Sequence, residues 1–279
     1  MKENRAIKAL LTAALLIPLS SSFAWGNQSP TPSMKDQMKA MNGGSKATTI
    51  ASSSPAPMGG TYFSVAIPTK VLSAKLFDVN GKTISLNDFK GKYVVVAPFL
   101  TSCQEICPMT SANMLAISKA IGKAKMSDMA SVLEVTVDPE RDTANRLKAY
   151  QALFNDSSWS IAGGKTSELK TFWSYFGVMA TKAAYSANDL KNLPVDWQTG
   201  KKNSFDITHT DEVLIIGPDQ KWKWLDLGSP DIGKNPLPAK LKSFLDDQGL
   251  ANLQKPEQPT WTIKAVTSAL SHEMGMKIG

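Results

Sequence analysis

The sequence predicts an α/β fold, a central mixed sheet flanked by helices, and three features of its middle third carry that prediction. Tyr93 to Leu100 is a near-continuous apolar run, the pattern of a strand buried on both faces in a parallel sheet. Met109 to Lys123 sets Met114, Ile117 and Ile121 three and four residues apart, the helical period, behind Pro108, a residue suited to a first helical turn. Val132 to Val137 is a second apolar strand. Strand, helix and strand in this order form a right-handed βαβ unit, and open α/β sheets bind ligands at the carboxyl ends of their strands. Pro98 lacks the backbone donor of a central strand, so a bulge or interruption is expected near the end of the first strand.

The other elements follow from local pattern. Val71 to Phe77 reads as a strand, and Asp78-Val79-Asn80-Gly81-Lys82 as a tight hairpin turn, because Asn-Gly tolerates positive φ. Asp142 or Thr143 caps a second helix running to Phe154, with Leu147, Tyr150 and Leu153 or Phe154 as its apolar stripe. Lys165 to Phe176 predicts a third. Residues 182–205 are polar and turn-rich, an insertion. Glu212 to Ile216 and Trp222 to Leu225 pair as a hairpin across Gly217-Pro218-Asp219-Gln220, and Lys240 to Asp247 forms a closing helix. No internal repeat is visible.

The amino-terminal quarter has a different texture. Lys2, Arg5 and Lys8 precede a mostly apolar stretch, Ala9 to Ala24, that ends in Ser22-Phe23-Ala24, the form of a secretory signal peptide cleaved after Ala24. As a helix that stretch spans about 24 Å, short of the roughly 30 Å hydrocarbon core, so an uncleaved membrane anchor is the second reading. No cysteine lies near the cleavage site, which argues against a lipoprotein. Residues 27–60 hold 14 Ser, Pro or Gly and no aromatic residue, too little to build a core, and read as a linker. Within it Met34, Met38 and Met41 share one helical face, either a soft copper(I) site or a fragment of amphipathic helix. The expected organisation is a signal peptide over 1–24, a linker over 25–60, a folded domain over 61–250 and a C-terminal extension over 251–279. Localisation is then periplasmic or otherwise exported, with membrane contact only if the first helix stays uncleaved. The excess of 31 Lys and Arg over 24 Asp and Glu is mild and unclustered, so no nucleic-acid partner is expected.

Only two cysteines exist, Cys103 and Cys107, and only two histidines, His209 and His272. That scarcity excludes zinc fingers, multi-disulfide scaffolds, haem attachment and histidine-rich metal cages. Cys103 and Cys107 flank Gln104-Glu105-Ile106 at the mouth of the predicted helix, whose amino end favours thiolate over thiol. Three chemistries are open: dithiol–disulfide exchange, copper binding with a third ligand, and a structural disulfide. The last is the weakest, since closing so short a loop constrains the unfolded chain little. A third ligand must be a distant histidine, methionine or carboxylate. His209 is the strongest candidate, because Asp206-Ile207-Thr208-His209-Thr210 puts it at a loop end before a strand. Two thiolates and an imidazole suit copper(I), with room for a further ligand in copper(II).

Three blocks together resemble the Sco/SenC family of thioredoxin-like copper proteins over about residues 68–248. They are Gly91 to Leu100 with Thr101-Ser102-Cys103-Gln104-Glu105-Ile106-Cys107-Pro108; Val135-Thr136-Val137-Asp138-Pro139-Glu140-Arg141-Asp142-Thr143; and Thr208-His209-Thr210 with Ile215-Ile216-Gly217-Pro218-Asp219. The resemblance implies a thioredoxin-like fold in which Cys103, Cys107 and His209 bind one copper ion. It also implies a part in maturing the copper centre of cytochrome oxidase, by delivering copper to a subunit or by reducing that subunit's cysteines. The chain departs from the family where Gln104-Glu105-Ile106 replaces the frequent Pro-Asp-Val, Thr208 the frequent Asp, and Gly217 the usual Asp. Glu105 either tunes a thiol or meets a basic partner, or is simply a solvated loop carboxylate. His272, Met274 and Met276 form a His-x-Met-x-Met cluster of soft donors near the carboxyl end.

The leading expectation is an exported copper-binding chaperone that passes its ion on by ligand exchange and is not a turnover enzyme. The competing one is a thiol–disulfide oxidoreductase with Cys103 and Cys107 as its catalytic dithiol. A peroxidase of related fold is weaker, since nothing beyond the cysteines marks a peroxide pocket.

Overall fold

The computed structural model describes residues 54–56, 58–185, 190 and 193–278. The expected signal peptide, most of the linker and the Met34, Met38 and Met41 face lie outside the described residues. Among the described residues no helix is long and apolar enough to cross a membrane.

The first half of the chain contributes β1 (Ser54–Pro55), β2 (Thr61–Ala66), the one-turn helix α1 (Thr69–Leu72), β3 (Leu76–Asp78), β4 (Thr83–Ile84), β5 (Tyr93–Phe99), α2 (Cys107–Lys123) and β6 (Ala130–Thr136). The second half adds α3 (Ala144–Ala152), β7 (Ser160–Gly164), α4 (Thr166–Phe176), β8 (Ala180–Ala183), β9 (Asp206–His209), β10 (Glu212–Ile216) and β11 (Lys221–Leu227). Then follow β12 (Ser229–Asp231), α5 (Ala239–Lys242), α6 (Asp247–Gln254), β13 (Thr260–Thr262) and α7 (Ile263–Met274). Nine strands form one mixed sheet in the order β1-β2-β11-β10-β5-β6-β7-β3-β4, with β5, β6 and β7 parallel and every other neighbour antiparallel. The α/β fold with a mixed central sheet is therefore observed.

The βαβ unit forms for the reasons its sequence gives. Val94, Val95, Val96 and Ala97 are buried on both faces of β5, which runs parallel to β6 in unbroken register from Tyr93 opposite Ala130 to Phe99 opposite Thr136. The interruption expected at Pro98 does not occur. β10 pairs with β5 only at Val94 to Val96, so Pro98 lies past that ladder and its missing donor breaks no register. In α2, Met114, Ile117 and Ile121 all point into the core. Thr143 caps α3, its hydroxyl accepting from the Arg146 backbone N–H.

Two local expectations are corrected, and one strand, β7, had no counterpart in the sequence analysis. The strand read over Val71 to Phe77 is helix α1 followed by the shorter β3: Pro68 opens the turn, and Val71 and Leu72 are buried as neighbours on that turn rather than on opposite faces of a strand. The hairpin after it does form, with Gly81 at φ +79°. β7 carries no apolar run to announce it. It is a strand because glycine lets it lie close to its neighbours; a Cβ on Gly163 would stand 2.5 Å from the Phe77 ring. The single closing helix read over Lys240 to Asp247 is two helices, since Asp246 caps α6 by accepting from the Gly249 N–H.

The extension read over 251–279 is folded. Trp261, Val266, Ala269 and Leu270 join the same hydrophobic core as the sheet, and α7 packs on α2. At its end His272 stacks on Tyr62 with ring centroids 4.4 Å apart, Met274 is partly buried, and Met276 is exposed.

Candidate metal centre

After β5 the chain turns through Leu100 to Ile106 and enters α2 at Cys107. Both thiols are free, Cys103 half-buried and Cys107 fully buried. The Cys107 backbone N–H donates to Cys103 Sγ at 3.4 Å, which seats that sulfur over the start of the helix. Cys107 itself has a different environment from the one its position predicts. Burial pushes its thiol well above the ordinary range, and the neighbouring Cys103 adds to the rise. The helix start does not make this thiol acidic; desolvation outweighs it.

The third residue arrives from the far side of the sequence. β8 and β9 pair so that Ala180 faces His209, which stands at the end of β9 with its side chain 5% exposed. Its Nδ1 lies 2.9 Å from the Thr210 carbonyl, which can only accept, so Nδ1 carries the hydrogen, and in the neutral ring Nε2 is the nitrogen with the lone pair. Nε2 lies 3.5 Å from Cys107 Sγ. Asp211 Oδ1 is 3.5 Å from Nδ1, and loss of water holds that carboxyl up at about 6 against the pull of the imidazole. Glu105, exposed between the cysteines, is likewise held up at about 7 by partial desolvation and by the acids Asp246, Asp206, Asp211 and Glu257.

The structure thus joins Cys107 to His209 by side-chain contact and Cys103 to Cys107 through the helix N–H. Among the described residues no group of three or more His, Cys, Asp or Glu side chains is already gathered into a metal cage. The donor chemistry nevertheless suits a soft monovalent ion: two sulfurs and a neutral imidazole whose free nitrogen faces one of them. His272 and Met274 belong to the end of α7, where His272 meets Tyr62 and Met274 packs against the core, and Met276 lies exposed just beyond it.

A buried polar network behind the cysteines was not predicted. Arg146 donates from Nη2 to Ser102 Oγ at 3.0 Å and from the same nitrogen to the Asp196 carboxylate, while its guanidinium lies 5.2 Å from the Trp197 ring centroid. Asp142 accepts from the Thr101 N–H at 3.2 Å and from its hydroxyl, and Trp197 Nε1 donates to Thr101 O at 2.7 Å. Asp196 and Trp197 come from the polar segment read as an insertion. Trp197 reaches the residues that lead into Cys103 directly, and Asp196 reaches them through Arg146. The only sequence signal was an aromatic and an acid side by side in a turn-rich stretch.

A mixed α/β sheet that presents two thiols at a βα junction, with an imidazole against the second, defines an α/β protein with a thiol–imidazole site. The chain belongs to the SCO1/SenC family, whose model matches residues 73–243. It is 31% identical to a SCO2-like protein of Rickettsia felis over 36% of this chain and 50% of that one. It is 32% identical to a SCO1 protein homolog of Bacillus subtilis over 51% of this chain and 65% of that one. The matches thus span between half and just under two thirds of these relatives' length. A solved structure of Bradyrhizobium japonicum ScoI with copper bound is 23% identical, the match covering 64% of this chain and 96% of that one at a TM-score of 0.45.

Proposed function

We propose that this protein is an exported copper carrier that holds one copper(I) ion with Cys103, Cys107 and His209 and passes it to a copper enzyme. The observation that supports this most is the 3.5 Å approach of His209 Nε2 to Cys107 Sγ, with Nδ1 occupied by the Thr210 carbonyl. A histidine held this way offers one nitrogen and no proton on it, the state a metal ligand needs. Binding requires both thiols to lose their protons, so copper uptake releases protons and favours rising pH, the more so for the buried Cys107. The half-buried Cys103 is the ligand a partner's thiol can reach first, which gives a route for ligand exchange. The recipient is a protein with soft ligands of its own, and family membership makes a cytochrome oxidase subunit the first to test.

The same asymmetry favours a second reading, thiol–disulfide exchange. Cys103 Sγ attacks a partner disulfide to form a mixed disulfide and release one partner thiolate; Cys107 Sγ then attacks Cys103 Sγ and releases the other. The partner gains two electrons and ends as a dithiol, and this chain ends with a Cys103–Cys107 disulfide. A half-buried attacking sulfur and a fully buried resolving one are the arrangement this needs.

Copper(I) affinity, measured anaerobically by chelator competition on the reduced natural chain and on His209→Ala, separates the two. The carrier reading predicts tight one-to-one binding that falls more than 100-fold in the variant while dithiol oxidation persists. Weak binding indifferent to His209 would move the protein to the thiol reductases.

A further inference from the structure

The loop between the cysteines is gripped by a segment that lies just beyond the family-matched span, which ends at residue 243. Gln104 Nε2 donates to the Phe244 carbonyl at 2.7 Å, and the Asp246 backbone N–H donates to the Gln104 carbonyl at 3.2 Å. Asp246 is also the residue that caps α6, so the hydrogen bond to Gln104 and the start of that helix are set by one residue. Gly249 completes the grip. It is buried inside α6, and a Cβ there would stand 2.1 Å from Gln104 O, a distance no side chain survives. Gly249 lies in the first turn of α6, and glycine is used where backbones approach closely, as here.

We infer that residues 244–249 are a positioning element for the Cys103–Cys107 pair, with Gln104 as the residue they hold. Phe244 is buried, so the grip is anchored in the core. Gln104 has one covalent neighbour in Cys103 and lies three residues from Cys107. Fixing both its side chain and its carbonyl fixes the loop that sets how the two sulfurs face each other. The free-thiol arrangement, with Cys103 Sγ over the Cys107 N–H, is the one the grip maintains. Loosening it makes closure to the disulfide easier. This rests on Cys103 and Cys107 being the functional pair, which the carrier and the exchange readings share.

The test equilibrates the full reduced chain with glutathione and its disulfide. In that reaction protein dithiol and oxidised glutathione give protein disulfide and two glutathione thiols. Gly249→Ala and Gln104→Ala are compared with the natural chain and with Thr262→Ala, which removes the cap of α7 in the same extension but touches no part of the loop. The inference predicts that both loop-side variants raise the oxidation constant at least tenfold, about 30 mV toward more negative potential for a two-electron couple, and that Thr262→Ala stays within twofold. It is overturned if Gly249→Ala stays within twofold, or if Thr262→Ala moves the constant as far. Should Gly249→Ala fail to fold, Gln104→Ala decides by the same limits. No copper enters the measurement, so failure of the carrier reading and failure of this inference are separate results.

Discussion

His209 Nε2 faces Cys107 Sγ across 3.5 Å, and the carboxylate of Asp211 stands behind the same ring at 3.5 Å from Nδ1. The imidazole is therefore oriented from behind by a carbonyl and a carboxylate, the usual way a ligating histidine is held. Replacing Asp211 by Asn keeps the shape and removes the charge. Copper(I) affinity is expected to fall roughly tenfold, the low end of what loss of an outer partner costs. Chelator competition checks it, with His209→Ala as the larger reference loss.

Trp197 supplies a prediction about the loop that leads into Cys103. Trp197→Phe keeps a ring beside Arg146 and removes only the donor to Thr101 O. Thermal stability should fall by about 1 kcal/mol, the net worth of a hydrogen bond. Alkylation of Cys103 should become faster, because the turn before it loses a tether. Equal alkylation rates in variant and natural chain would show that the tether does not reach the thiol.

Asp196 and Arg146 form a buried ion pair, with side chains 7% and 8% exposed. Although burial opposes its charge, hydrogen bonds from Arg146 and Thr199 hold the Asp196 carboxyl down at about 2. A folded value below the unfolded one of about 3.9 means stability that is present above the unfolded value and lost as pH falls toward 2. Asp196→Asn is expected to lower stability by roughly 3 kcal/mol at pH 7, since it removes one of the two carboxylates that face the buried Arg146, leaving only Asp142 at 3.5 Å. Melting midpoints taken from pH 7 down to pH 3 should show the deficit narrowing.

Glu134 runs the other way. Its carboxyl is fully buried, accepting from Ser111 Oγ at 2.9 Å and from Trp159 Nε1 at 2.6 Å, and burial raises it to about 8 despite both bonds. A folded value raised above an unfolded one of about 4.3 means stability that is full below the unfolded value and lost as pH rises through 8. Glu134→Gln resembles the protonated form and lets the amide donate to Ser111. The variant should gain on the natural protein by on the order of 3 kcal/mol between pH 5 and pH 8. Unfolding in urea at the two pH values measures it, and a parallel pH response in both proteins would contradict it.

What the sequence made legible was whatever periodicity and turn chemistry determine locally. β5, α2 and β6 follow from an apolar run, a helical stripe behind Pro108 and a second apolar run, and the β10–β11 hairpin from its turn. Cys103, Cys107 and His209 were each singled out from the residues themselves, and the fold brings the last two into contact. What stayed hidden is what only tertiary contact decides. Val71 and Leu72 read as strand because an apolar pair fits either period, and the turn set by Pro68 decides between them. β7 depends on Gly163 and Gly164 lying against Phe77 and Leu169, which no local pattern announces. The roles of Asp196 and Trp197 were masked by a polar, turn-rich context. The place of Gly249 is set by the Gln104 carbonyl against it, which no local pattern announces.

In the proposed carrier, two thiols and one imidazole hold one copper(I) ion. X-ray absorption at the copper edge, on the reduced natural chain loaded with one equivalent of copper(I), counts those ligands directly. Copper(I) held by Cys103, Cys107 and His209 gives two sulfur neighbours and one imidazole, with the imidazole signal absent in His209→Ala. A spectrum with sulfur alone in the natural chain, unchanged by the substitution, would contradict it.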